Sequence, residues 1–283
     1  MRAILFSAIL VIYSTTFSYA QCSDAGACAI GHRLQAARHQ VGVAYLFGKS
    51  GKTDGLTFHS GRVEGDFFMY EKSRLSVDIA FSSQSGPLGS ASGIGDPIII
   101  WNQRLYQEQT SLFTVHLGAK LSIGNANSGN LPQAYQSTLG TNDFLLGVTY
   151  AYEMWNASVV YQISRGRSDN NATRLKRGDD ILVRAGYRFS AEQTTVVGEL
   201  LAIKRLEESS IRNMASTRPD EFINVPRSDQ FQVNLQGRLI YQAFEQYGLH
   251  LLVALPLLKR DVNVDGLTRS FSLSIGMSHL FLI

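Results

Sequence analysis

The chain has 283 residues, 45% hydrophobic and 10% aromatic, with only 17% charged and a formal net charge of +3. The aromatic content and small net charge exclude a disordered chain. The charged share lies below the roughly 25% of an ordinary soluble domain. No apolar run after the N-terminus is long enough for a membrane helix, and the weak charge gives no pull toward nucleic acid.

Residues 1–20, MRAILFSAILVIYSTTFSYA, read as a secretory signal. Arg2 supplies the positive start, an apolar stretch follows, and Ser18-Tyr19-Ala20 suits cleavage. Residues 21–37 then form an N-terminal periplasmic segment or plug, and 38–283 form the main domain. Cys22 and Cys28 flank a turn-forming Ser23, Asp24 and Gly26. In an oxidising compartment the pair is expected to close a disulfide. A metal site drawing on His32 and His39, or a redox pair, are the rival readings of these two thiols.

From residue 39 onward, apolar residues recur at period 2. Strands are predicted at 39–48, 56–70, 74–83, 97–106, 111–123, 142–152, 156–164, 180–189, 194–204, 230–242, 247–257 and 270–281. At 111–123, Phe113, Val115, Leu117, Ala119, Leu121 and Ile123 share one face, with Thr114, His116, Gly118, Lys120 and Ser122 on the other. Most of these strands exceed the 5–6 residues of a globular strand and match the roughly 9–11 that cross a bilayer. Their connections alternate in length. Short ones fall at 71–73, 107–110, 153–155, 190–193 and 243–246. Long polar ones fall at 49–55, 84–96, 124–141, 165–179, 205–229 and 258–269. Outer-membrane barrels sort their periplasmic turns and outer loops in this way. Aromatic residues recur beside the short turns, as at Tyr150, Tyr152 and Trp155, at Tyr187 and Phe189, and at Tyr241, Phe244 and Tyr247. Such clusters suit a membrane interface. The expected fold is therefore all-β: a transmembrane antiparallel β-barrel of about twelve strands in a Gram-negative outer membrane.

The polar face of the alternation carries Arg62, Glu64, Asp66, Asp78, Asn102, Arg104, Lys120, Asp143, Arg184, Arg188, Glu199 and Arg238, which are expected to face the lumen. Charge on the lipid face would cost about 2–4 kcal/mol for a mid-membrane Arg or Lys. The mixed signs do not advertise strong ion selectivity. These groups suit either an internal ion-pair network or direct contact with a solute. Three predicted strands, 56–70, 97–106 and 194–204, alternate poorly. Phe67 to Tyr70 and Ile98 to Trp101 are apolar on both faces, which fits a contact with an N-terminal plug or a path for an apolar solute.

No enzyme, metal site or cofactor is expected. His59 and Ser60 are neighbours on a strand and point to opposite faces. His116 and His250 read as wall residues, and Asp179-Asp180 and Glu207-Glu208 as solvated carboxylates. No nucleophile elbow, H-E-x-x-H or Walker loop occurs.

Three patches resemble the outer-membrane barrel family called MetA-pathway of phenol degradation, whose members are suspected transporters. They are Gly93-Ile94-Gly95-Asp96 with the strand ending Asn102-Gln103-Arg104-Leu105, then Leu255-Pro256-Leu257 with the loop bearing Asp265-Gly266, and the terminal strand Phe271 to Phe281. The resemblance implies restricted passive passage of a small, hydrophobic or aromatic solute. It also implies outer-membrane lipid and the outer-membrane assembly machinery as partners. Such barrels usually end on an aromatic residue, whereas this sequence ends Phe281-Leu282-Ile283. The competing functions are a non-transporting structural or adhesion barrel, which would act through loops 124–141 and 205–229, and an outer-membrane hydrolase. A soluble β-sandwich is the remaining fold.

Overall fold

The computed structural model describes residues 26–30, 38–51, 55–262 and 264–282. The expected signal at 1–20 and Cys22 lie outside the described residues. The strands are β1 (His39–Lys49), β2 (Thr57–Tyr70), β3 (Ser73–Gly86), β4 (Gly89–Ile94), β5 (Ile98–Gln107), β6 (Ser111–Lys120), β7 (Asn142–Tyr152) and β8 (Trp155–Arg165). They continue with β9 (Asp180–Ala191), β10 (Thr194–Arg205), β11 (Ser210–Arg212), β12 (Phe222–Asn224), β13 (Phe231–Phe244), β14 (Tyr247–Leu258) and β15 (Phe271–Phe281).

Twelve of them form a closed antiparallel ring, in the order β1-β2-β3-β5-β6-β7-β8-β9-β10-β13-β14-β15. It closes where β15 returns to β1, with His39 opposite Phe281 and Val43 opposite Met277. Closure leaves no unpaired edge, which a bilayer core without water requires.

The alternation in the sequence becomes an apolar outside and a polar inside. Val43, Val63, Phe81, Leu117, Phe144, Val183, Leu200 and Ile275 are all exposed. So much outward apolar surface would be a liability in water and is favourable against lipid. At the short-turn end Trp155 packs edge-on to Tyr187 at 4.7 Å, and Phe244 lies 6.4 Å from Tyr247. Amphipathic rings at that level suit the membrane interface.

The structure departs from the sequence expectation at four places. Strand β6 ends at Lys120, not 123. The Leu121 N–H turns aside to donate to the Pro97 carbonyl at 2.9 Å, so Leu121 and Ile123 leave the ladder. Residues 84–96, expected as a loop, continue β3 to Gly86 and return as β4, whose ladder runs from Phe81 opposite Ile94 to Gly86 opposite Gly89. The long 205–229 connection contains the β11–β12 hairpin. The poor alternation at 56–70 has a local cause: a bulge between Phe68 and Tyr70 puts an extra residue into β2. A second bulge lies between Arg104 and Tyr106 in β5.

Candidate functional site

The barrel interior has three levels. Nearest the long loops lies a cluster of buried charges. Lys120, on β6, is fully buried and its Nζ lies 2.8 Å from Asp143 on β7 and 3.7 Å from Asp96. Arg177 bridges Asp143 at 3.1 Å and Asp180 at 2.7 Å. Arg205 holds Asp180 at 3.1 Å and Asp265 at 2.7 Å, and Arg260 approaches Asp180 at 3.7 Å. Charges at this depth are tolerable only when each has partners. Burial raises the Asp96 carboxyl above the usual range against the pull of Lys120. Burial also opposes ionisation of Asp265, but Arg205, Arg177 and Arg260 outweigh it and hold that carboxyl below the usual range. Burial and the neighbouring Arg205 bring Arg260 down to about 10.

This cluster ties the long loops to the wall. Asp96 accepts a hydrogen bond from the Thr138 hydroxyl and another, 2.9 Å long, from the Leu139 N–H. Gln84 Nε2 donates to the Gln136 carbonyl at 2.6 Å, and Ser168 Oγ donates to Gln133 Oε1 at 2.6 Å. Asn170 Nδ2 donates to the Ala126 carbonyl at 2.6 Å and the Leu131 carbonyl at 2.9 Å. Gly266 has a positive φ of 73°, and a Cβ there would stand 2.7 Å from the Ala134 carbonyl. Glycine permits both the backbone conformation and that close approach. The Gly93–Asp96 and Asp265-Gly266 patches thus sit where two long connections meet the wall.

The middle level is apolar. Ile98, Ile100, Leu145, Val160, Leu182, Leu201 and Ile203 point inward and form one buried cluster with Cys28 and Ile30. The short 3-10 turn Gly26–Ala29 therefore lies inside the barrel. Arg184 Nη2 donates to the Cys28 carbonyl at 2.9 Å. A Cβ on Gly147 would stand 3.2 Å from Ile30, so the wall is pared back where the segment sits. The doubly apolar stretch at 98–101 is explained here: Ile98 and Ile100 meet the N-terminal segment, while Ile99 faces outward.

Toward the short-turn end the interior opens. A cavity of about 370 Å³ is lined by Cys28 and Ala29 on one side and by Arg62, Glu64, Asp78, Arg188, Arg238 and His250, among others. Glu64 stands opposite Asp78 in the β2–β3 ladder. Like charges so placed repel, and Arg62 comes within 3.7 Å of Asp78. Arg238 meets Glu199 at 3.1 Å, with Arg184 at 3.9 Å from the same carboxylate. Arg74 lies 3.7 Å from Asp66. A second, tighter space of about 30 Å³ lies under the loops between Asp96, Gln136, Thr138, Asp265 and Arg269. Arg62 and Asp78 line both spaces and so stand between them.

Among the charges read from the sequence, Arg104 lies apart from these levels. It is half-buried, bonded to Gln107 at 2.9 Å and set 5.5 Å over Phe68. Asp180 corrects the expectation of a solvated carboxylate, being 2% exposed among three arginines. Its neighbour Asp179 accepts from Tyr161 Oη at 2.7 Å and the Ser164 N–H at 2.8 Å. Glu207 and Glu208 are exposed. Sequence reasoning passed over Asp96, Arg177, Asp180, Arg205, Arg260 and Asp265 as interior charges. Four of the six, Asp96, Arg177, Arg260 and Asp265, lie in connections, where period 2 carries no signal; Asp180 opens β9 on the face of Arg184 and Arg205 closes β10 on the face of Glu199, and both could have been read from the alternation.

The histidines are held by neutral neighbours. His116 is bracketed by Asn102 at 2.7 Å and Thr149 at 2.8 Å. His250 Nε2 lies 2.7 Å from Ser278 Oγ. His59 contacts Tyr45 Oη at 2.6 Å, while its neighbour Ser60 bonds on the buried face to Ser82 at 3.0 Å.

A closed ring of twelve long strands with an apolar exterior and a charged interior is an outer-membrane β-barrel. The crystal structure of the COG4313 outer membrane channel from Pseudomonas putida F1 has the same fold, at a TM-score of 0.65 and 16% identity over 88% of this chain and 97% of that one. The NanC porin matches at a TM-score of 0.53 and 9% identity, over 86% of this chain and 100% of that one. No family model matches the chain. No curated protein matches it by sequence either.

Proposed function

We propose that this barrel is a restrictive channel for passive passage of a small solute with a hydrophobic or aromatic body, and that it belongs with the phenol-degradation type of outer-membrane transporter. The observation that carries this reading is the cavity of about 370 Å³ inside the barrel, which shares Arg62 and Asp78 with the space under the loops. The fold shared with an outer-membrane channel supports it. The short turns face the periplasm and the stitched loops face outward. Residues 1–20 are a signal, and 21–37 act as a plug whose loop is closed by a Cys22–Cys28 disulfide. The charges at Arg62, Glu64, Asp66, Asp78, Arg184, Arg188, Glu199 and Arg238 line the route, with Lys120 and Asp143 at its outer end and Arg104 at its inner rim.

Two features explain the restriction. The apolar middle is filled by Cys28 and Ile30, so a solute must move that segment or slip along the β2–β3 wall. The outer end is tied by buried ion pairs, which resist opening because losing one partner leaves a charge unpaired away from water.

The deciding experiment compares the mature chain with one lacking residues 21–37 in planar bilayers and in liposome flux of benzyl alcohol. The reading expects low conductance in the first and a several-fold rise in the second. No conductance and no flux in either would overturn it.

A further inference from the structure

Two of the arginines lining the large cavity have carboxylates beside them. Arg62 has Asp78 at 3.7 Å, and Arg238 has Glu199 at 3.1 Å. Arg188, on β9, is different. It lines the same cavity, is half-buried, and makes no ion pair among the described residues. Its Nε is buried with no hydrogen-bond partner. The backbone fixes it near the short-turn mouth: the Arg188 N–H donates to the Met154 carbonyl at 2.8 Å, and Val197 stands opposite on β10. A buried donor left without an acceptor is costly, and a ligand that supplies the acceptor recovers that cost.

We propose that Arg188 binds the head group of a small monocarboxylate with an apolar body. This rests on the channel reading above and names the class of solute. The planar guanidinium fork matches a carboxylate in two parallel hydrogen bonds. An apolar body fits Leu46, Ile240, Leu252 and Leu280, which form apolar stretches of a wall that also carries Gln40, Gln236, Gln242 and Ser274. The ligand is small because about 370 Å³ is near the lower end of the roughly 300–1,000 Å³ of ligand pockets. It carries a single charge because Glu64 and Asp78 line the same space and would repel a second. Cys28 and Ala29 form part of the same lining, so the bound acid touches the N-terminal segment.

The test uses benzoate as the probe and benzyl alcohol as its neutral counterpart, on the full mature protein in detergent by titration calorimetry and in liposomes by flux. Arg188→Gln and Arg188→Lys are compared with the parent, each first shown to keep the heat-shifted gel mobility of a closed barrel. The parent is expected to bind benzoate at least tenfold more tightly than benzyl alcohol. Arg188→Gln should abolish that preference. Arg188→Lys should keep part of it, since the charge stays and the fork is lost. A benzoate preference untouched by Arg188→Gln, or absent from the parent, would overturn the proposal. Arg188-dependent binding with no liposome flux would uphold the site and overturn the channel. Flux with no dependence on Arg188 would do the reverse.

Discussion

The two ends of the barrel interior treat charge in opposite ways. At the loop end, Lys120, Asp143, Arg177, Asp180, Arg205 and Asp265 are buried and share partners at 2.7–3.1 Å. Toward the short-turn end the pairing is sparser: Arg238 meets Glu199 at 3.1 Å, Arg62 stands 3.7 Å from Asp78, and Arg188 has no ion partner among the described residues. The outer cluster has the density of a structural lock. The inner end has room and an unspent charge. The lesson is that one barrel uses the same residue types to close one end and to receive solute at the other, and packing distinguishes the two.

The sharpest way to break this contrast is to open the lock. Asp265→Ala leaves Arg205 and Arg177 facing lost charge, and removing one partner of a buried pair costs about 3–5 kcal/mol. The loop at 259–270 should then become protease-sensitive from outside, with a matching rise in channel openings. The wild type should do the same in acid. The Asp265 carboxyl lies below its ordinary range in the folded protein, so its contribution is fully present above about pH 4. That contribution is lost as pH falls toward the depressed folded value. Openings that appear on raising pH instead would contradict this sign.

The next effect tests the middle level. Ile30→Ala removes a 2% exposed side chain from the apolar cluster and should weaken seating of the segment by about 2–4 kcal/mol. Single-channel recordings should show a higher open fraction, with heat-shifted mobility preserved. A smaller change is expected for Asp96→Asn. It keeps an acceptor for Leu139 but drops the charge facing Lys120 at 3.7 Å, so loop 131–141 should loosen by about 1–3 kcal/mol, read by hydrogen exchange. The smallest effect belongs to an exposed pair. Lys204 and Asp229 stand 3.1 Å apart and are 42% and 39% exposed, so Lys204→Ala should change the unfolding free energy by no more than about 1 kcal/mol. A larger loss there would show that the outer loops are stabilised by surface charge and not by the buried cluster.

The amino-acid sequence by itself determined the wall. Period-2 alternation sorted Val43, Leu117 and Phe144 outward and Asp78, Lys120 and Glu199 inward, because successive side chains of a strand point to opposite faces. The order of short and long connections carried the topology, since neighbouring antiparallel strands need only a turn. Strand ends were less legible, because bulges such as that at Phe68 and Tyr70 shift the register without changing composition. Only the tertiary structure decided what fills the ring. Asp96, Arg177 and Asp265 come from three separate connections and Asp180 from the first residue of β9, and no spacing in the chain announces that the three connections converge. The seat of Cys28 and Ile30 was partly legible, since Ile98 to Trp101, apolar on both faces, suited either a contact with an N-terminal plug or a path for an apolar solute; that Leu145, Leu182 and Leu201 complete the seat was not. Alternation is a local property that each strand states for itself, whereas convergence inside a barrel depends on how far apart the closed ring places its strands.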